Sequence, residues 1–200
     1  IAVIHRGFSA YGETKYRNIP RWQIPIELKR LYPDLPVICD NSHICGRRDI
    51  LAEVAQESYD LNFDGLMTET HPDPDEAWSD AKQQITPAVF GELVKGLKLR
   101  SAGSSNAQVA ADLDGMRQKI NHIDAELLKL LGQRMGVAEN IGNYKKDNNI
   151  SILQPNRWEE ILKTATAKGA DNGLSEDFIS VYLKAVHQES INHQTKIMNS

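Results

Sequence analysis

Two hundred residues make one large domain or two small ones, and 40% hydrophobic with 25% charged residues is the balance of a globular chain. A net charge of −4, with 12 Lys/Arg against 15 Asp/Glu over residues 1–100 and 11 against 12 over 101–200, excludes the basic footprint of a binder of nucleic acid or anionic membrane. No apolar run reaches the roughly 18 residues that span a bilayer, and two cysteines, Cys39 and Cys45, are too few for a disulfide scaffold, so a reducing, cytoplasmic setting is expected.

The chain opens IAVIHRGF, already inside a β-branched apolar run, which predicts a piece of a longer protein. IAVIH reads as a buried strand and RWQIPIELKRLY as an amphipathic helix. LPVICD is a second strand followed by a helix in ILAEVAQESYDLN. FDGLMTE is a third strand followed by a helix in ITPAVFGELVKGL. Short apolar runs alternating with helices predict parallel strands joined by crossover helices, here three βα units. KLRSAGSSNAQ is rich in small residues and reads as a linker, so the expected division is 1–98, a linker at 99–112, and a second part at 113–200.

The second part carries no strand signal. Leu113, Met116, Ile120, Ile123, Leu127, Leu130, Arg134, Val137, Ile141 and Tyr144 follow at alternating spacings of three and four. This is a heptad seam on one long helix, ended by Lys146-Asp147-Asn148-Asn149. Pro155 suits the first turn of a second helix over 156–168 with Gly169 as its terminator, and Ser175 can cap a third helix running to about Met198. About 50 following residues cannot cover the long helix, so its seam needs a partner chain, and a coiled-coil dimer is the simplest outcome.

Arg134 interrupts the seam. A guanidinium there costs several kcal/mol unless an anion or a register-setting partner meets it. Arg117 and Lys145 each lie one position past a seam residue and differ by four heptads, so they share an edge that Arg134 adjoins. Three cations on one face describe a receptor for a multiply charged anion. Ser190 and Gln194 share a face of the third helix, and Arg157 opens the second.

The segments MRQKINHIDAELLKLLGQRMGVAENIGNYKK, PNRWEEI and HQESINHQTK resemble the all-helical chorismate mutases over about residues 113–198. The resemblance implies a three-helix fold in an intertwined homodimer that converts chorismate to prephenate without a cofactor. Carried over, Arg117 is lent to the partner's site and Arg134 clamps a substrate carboxylate. Lys145 and Gln194 address the ether oxygen, while Ser190, Arg157 and Gln154 line the site. Gln154 and Trp158 stand where the family often has acids for the substrate hydroxyl; Gln154 can still hydrogen-bond, Trp158 cannot replace a carboxylate, and Glu159 is a possible substitute. A prephenate-binding regulatory and dimerisation module with little turnover is the alternative.

In the first part, His43 follows a strand, Glu69 ends the next, and Asp80 lies in the loop before the last helix. Side chains at the carboxyl ends of parallel strands converge, and one imidazole with two carboxylates suits a divalent metal. Cys39 and Cys45 lack the usual zinc spacing, and Cys39 reads as a buried strand residue. HRGFSAYGETKYRN, CDNSHICGRRD and ETHPDPDEAWSDAKQQ resemble the carboxyl-terminal part of 3-deoxy-7-phosphoheptulonate (DAHP) synthases over about residues 1–96, with Asn41 where a proline is common. The resemblance implies the last three βα units of a (β/α)₈ TIM barrel, a divalent metal on His43, Glu69 and Asp80, and the phosphate of phosphoenolpyruvate on Arg6. The family's cysteine ligand and phosphate-binding lysines of earlier strands are not in this sequence, so no synthase activity is expected from this chain alone. The fusion joins the opening step of the shikimate pathway to aromatic amino acid synthesis.

Overall fold

The computed structural model describes residues 1–9, 11–12, 15–101, 103 and 105–199, with the side chains of 155 and 156 outside that description. Residues 10, 13 and 14 of the HRGFSAYGETKYRN motif, and 102 and 104 of the expected linker, lie outside it too. The chain divides into two units, Ile1–Ala107 and Gln108–Ser200.

The first unit holds three parallel strands, β1 (Val3–His5), β4 (Val37–Asp40) and β5 (Gly65–Met67), in the order β1-β4-β5. Val3 pairs with Val37 and Ile38 with Gly65. The crossovers are α1 (Gln23–Leu31), α3 (Leu51–Asp60) after a short α2 (Asn41–Cys45), and, after β5, α4 (Pro87–Gly96). These are the three βα units the alternation of apolar runs predicts. Val37 and Cys39 on the central strand are fully buried against Ile44, Leu51, Val54 and Phe63. Each such side chain stabilises the unit by roughly 1.5–3 kcal/mol relative to exposure.

One feature was not legible beforehand. A small antiparallel hairpin, β2 (Phe8–Ser9) with β3 (Asn18–Ile19), folds over the carboxyl end of β4. Asn18 Nδ2 donates to the His43 carbonyl at 2.8 Å, and Arg17 N to that of Cys45 at 3.3 Å. Gly46 ends α2 at φ +65, where a Cβ would stand 2.5 Å from the Arg17 Cβ, so only glycine permits this seating. Two-residue strands are too short for an alternation pattern to register.

The second unit is three helices: α5 (Ala107–Asp147), α6 (Pro155–Asp171) and α7 (Glu176–Asn199). Helix α5 starts six residues before the expected boundary, so the linker is shorter than 99–112. At 41 residues it is about 60 Å long. Helix α6 does not stop at Gly169. It continues to Asp171 and closes through Gly173 at φ +74, with Leu174 N on the Gly169 carbonyl and Gly173 N on the Ala170 carbonyl, both 2.9 Å. Those paired bonds are the Schellman closure, which needs a left-handed residue where Gly173 stands. Ser175 Oγ accepts from Phe178 N at 3.3 Å and caps α7.

Gly169 has a packing role instead: an added Cβ would lie 2.6 Å from Ile179 Cγ1. Gly169→Val is therefore expected to destabilise the unit by roughly 1–3 kcal/mol through overpacking, more than the few tenths of improved helix propensity return. Chemical denaturation followed by helical circular dichroism measures it, and an unchanged midpoint contradicts the packing account.

The long helix is covered only at its carboxyl half, where Ala138, Gly142 and Lys145 are buried. Leu113, Met116, Ile120, Ile123, Leu127 and Leu130 are 40% to 59% exposed.

Candidate functional site

The covered half of α5, the start of α6 and the last turns of α7 enclose a cavity of about 440 Å³. It gathers Arg134 and Lys145 from α5, Gln154, Arg157 and Trp158 from the start of α6, and His187, Ser190 and Gln194 from α7. Close helix approach forms it: a Cβ on Gly142 would sit 3.2 Å from Gln194 Cα. Gly142 lies eight residues past Arg134, so the tight crossing is built beside the cations.

Arg134 Nη1 donates to Ser190 Oγ, whose hydroxyl donates onward to the Val186 carbonyl at 2.8 Å. The hydroxyl fixes the guanidinium and leaves its other donors for a ligand. Lys145 Nζ donates to the Ile152 carbonyl at 2.6 Å and keeps two further N–H groups. It is 9% exposed, and burial lowers its pKa below the ordinary lysine value. Gln194 is 8% exposed, and its Oε1 has no hydrogen-bond partner among the described residues. A buried amide oxygen without a partner is an unsatisfied polar group, which marks this side chain as set for something other than packing.

Trp158 stacks on His187, ring centroids 4.1 Å apart and planes at 23°. The His187 pKa is lowered, first by burial and then by the Arg134 and Lys145 charges, so the imidazole is neutral at pH 7. His187 was not singled out from the sequence. Its spacing to Ser190 and Gln194, three and seven residues, is the helical signal that would have found it. Two other expectations need adjustment. Glu159 is exposed and is not among the residues lining the cavity, so it does not stand in for the acid replaced by Trp158. Arg157 reaches the cavity but also pairs with Glu160, and its side chain is 64% exposed, which puts it at the rim. Arg117 is in the exposed half of α5, 17 residues or about 26 Å along the axis from Arg134, so this chain does not bring it to its own cavity.

The first unit brings His43, Glu69 and Asp80 together, one ligand atom from each lying within 4.8 Å of the others. His43 Nδ1 sits 2.9 Å from Asp40 Oδ1, and its Nε2 is 3.4 Å from Glu69 Oε1. The carboxylate of Asp40 orients the ring and leaves Nε2 facing the cluster. Gln83, 1% exposed, donates to Glu69 Oε2 at 2.8 Å and accepts from Arg17 at 2.7 Å, while Arg17 also pairs with Asp80 at 2.7 Å. One imidazole nitrogen and two carboxylates, pre-oriented, fit a divalent cation. Asp40 and Gln83 support this cluster, and only the folded chain reveals them. Arg6 lies beside it, its Nε 3.2 Å from Asp40 Oδ2, with its side chain 55% exposed. Asn41 is buried and ties strand ends: its Nδ2 donates to the Leu51 carbonyl at 3.1 Å, and Thr68 Oγ1 donates to its Oδ1 at 2.7 Å. Cys39 and Cys45 are free and buried, with thiol pKa values pushed up to about 12 by burial, and neither joins the cluster.

Comparison with known proteins divides at the same place as the fold. The DAHP synthetase I family matches residues 1–101, and chorismate mutase type II matches residues 116–195. A phospho-2-dehydro-3-deoxyheptonate aldolase of Thermotoga maritima is 31% identical over 98 residues, which are 49% of this chain and 28% of the relative. A bifunctional chorismate mutase/prephenate dehydratase of Buchnera aphidicola subsp. Schizaphis graminum is 32% identical over 88 residues, 44% of this chain and 23% of the relative. A 4-amino-4-deoxychorismate mutase of Streptomyces pristinaespiralis is 27% identical over 78 residues, 39% of this chain and 60% of the relative. The chain thus spans about a quarter of the length of the first two. Among the described residues, no helix is long and apolar enough to cross a membrane.

Proposed function

This chain belongs to the DAHP synthetase I family and carries a chorismate mutase type II region in its second half, and from that premise we propose that the helical unit converts chorismate to prephenate. The observation that carries the proposal is the cavity in which Arg134, Lys145, Ser190 and Gln194 converge with no carboxylate among the described lining residues. The reaction is an intramolecular rearrangement, so no nucleophile or proton transfer is required, and no cofactor. What the site must supply is a fixed geometry for a dianion and stabilisation of the negative charge that grows on the breaking ether oxygen.

Arg134, held by Ser190, takes one carboxylate in a two-donor grip. Lys145 and the NH₂ of the Gln194 amide donate to the ether oxygen. In a dry site one well-placed donor is worth roughly 3–4 kcal/mol in the transition state. The second carboxylate is met by Arg117 of a second copy of the chain, because the bare seam from Leu113 to Leu130 requires a partner and Arg117 lies on that half of the helix. The active form is then a homodimer.

Loss of chorismate absorbance on adding the purified chain tests the reading. Turnover supports it. Ligand-induced stabilisation by prephenate with no turnover supports the regulatory module instead, and neither response defeats both.

Lys145 sets a pH dependence. Its folded pKa is lowered, so the cation is lost at a pH below the free lysine value of about 10.4. The alkaline limb of kcat/KM for chorismate is expected below that pH, and Lys145→Arg is expected to abolish the limb, since a guanidinium does not titrate there. The same shift weakens the fold while Lys145 is charged. That penalty is present below the lowered folded value and is relieved as pH rises from it to the unfolded value.

For the first unit, we assign residues 1–98 to the last βα units of a DAHP synthase barrel, with His43, Glu69 and Asp80 holding a divalent metal and Arg6 the phosphoenolpyruvate phosphate. The cluster and its Asp40 and Gln83 supports favour this assignment. Such a metal supplies a Lewis acid for a carbonyl oxygen. Asp40 keeps the His43 ring oriented for it, while Arg17 bonds Asp80 and Gln83 bonds Glu69, which fixes the two carboxylates. Two buried free thiols suit a reducing compartment such as the cytoplasm.

A further inference from the structure

Among the described residues, every charged side chain lining the mutase cavity is a cation: Arg134, Lys145 and Arg157. Glu160 pairs with Arg157, and neither it nor Glu159 is among the lining residues. Between the cations, Trp158 on α6 and His187 on α7 stack into a flat wall that joins the two helices. Neither ring nitrogen of His187 has a hydrogen-bond partner among the described residues, and the ring is kept neutral by burial and by the Arg134 and Lys145 charges. A neutral imidazole offers one donor and one acceptor, which complements a hydroxyl. An ammonium offers only donors and carries a fourth positive charge into a cavity that has no counter-charge.

We propose that the stacked Trp158–His187 pair is the specificity-determining wall of this pocket, admitting a dianion whose ring bears a neutral hydroxyl and rejecting its counterpart with an ammonium in the hydroxyl's place. This rests on the reading that the pocket takes chorismate, and it narrows the substrate class within that reading. A relative named for the aminated compound makes the distinction a real one for helical units of this kind. With Arg134 on a carboxylate and Lys145 and Gln194 on the ether oxygen, the stacked wall, beside Gln154, is the surface that faces the remaining ring substituent. There it supplies an apolar indole face and a neutral imidazole in place of an acid. Specificity then comes from the missing counter-charge as much as from contacts made.

The test uses the purified full chain and measures kcat/KM for chorismate and for 4-amino-4-deoxychorismate by disappearance of each. The expected preference for chorismate is at least about 100-fold, the discrimination that one poorly screened like-charge contact provides. Trp158→Glu is expected to raise the aminated compound relative to chorismate by at least about tenfold, because the new carboxylate can pair with the ammonium. His187→Asp places the acid on the facing helix and is expected to act the same way, so either variant that keeps its helical circular dichroism serves. Equal use of both compounds by the unmodified chain overturns the specificity wall and leaves the mutase reading standing. Turnover of neither overturns both. An unchanged ratio in a folded variant overturns the role of the stacked pair.

Discussion

Arg134→Ala is expected to lower kcat/KM for chorismate by at least about 1,000-fold, with helical content preserved. The guanidinium is the one cation set inside the apolar seam, and Ser190 holds it in place, so alanine removes both the charge and the fixed donor geometry. Ser190 stays bonded to the Val186 carbonyl within α7, so its hydroxyl keeps a partner when the guanidinium is gone. Arg134 is an exposed cation with no carboxylate partner among the described residues, so the folded unit is expected to keep its stability to within about 1 kcal/mol while activity collapses. That opposition between stability and activity separates a ligand clamp from a structural ion pair. Turnover within a few-fold of the unmodified chain contradicts the clamp.

Arg117→Ala is expected to cost activity on a similar scale, about 100-fold or more, although Arg117 lies about 26 Å along α5 from Arg134. Complementation makes the reason measurable. Mixing Arg117→Ala with Arg134→Ala chains, after unfolding and refolding together, is expected to restore about a quarter of the unmodified activity. Half the dimers formed at random are mixed, and one of the two sites in each then holds both arginines. If each chain built its site alone, the mixture would stay as inactive as its parts. The exposed seam favours exchange of this kind: six apolar residues from Leu113 to Leu130 are bare along one helix face. Leu127→Glu on that face is a useful companion, since a charge in the seam blocks assembly without touching the cavity.

The parts of the architecture that follow from neighbours in the chain were legible beforehand. Three βα units came from apolar runs set between amphipathic stretches. The long helix came from a three-four spacing that holds for more than thirty residues, and Ser175 capped α7 as its residue type suggests. Gly169 was misread because a helix-ending glycine and a helix-packing glycine look alike in one dimension. What distinguishes them is Ile179, ten residues away, and the left-handed Gly173 that does the closing.

The chemistry divides in the same manner. Arg134, Lys145, Ser190 and Gln194 could be named from the sequence because an interrupted heptad and a shared helix face are periodic signals. That they surround one cavity, that Trp158 and His187 stack across it, and that its lining lacks a carboxylate are matters of which side chains meet between helices. In the first unit, His43, Glu69 and Asp80 were visible as strand-end residues, whereas Asp40 and Gln83, which orient two of them, were not. Backbone periodicity and capping are short-range effects written in adjacent residues. Convergence, burial and the resulting shifts at Lys145 and His187 depend on contacts between residues far apart in the chain, and only the tertiary structure decides those.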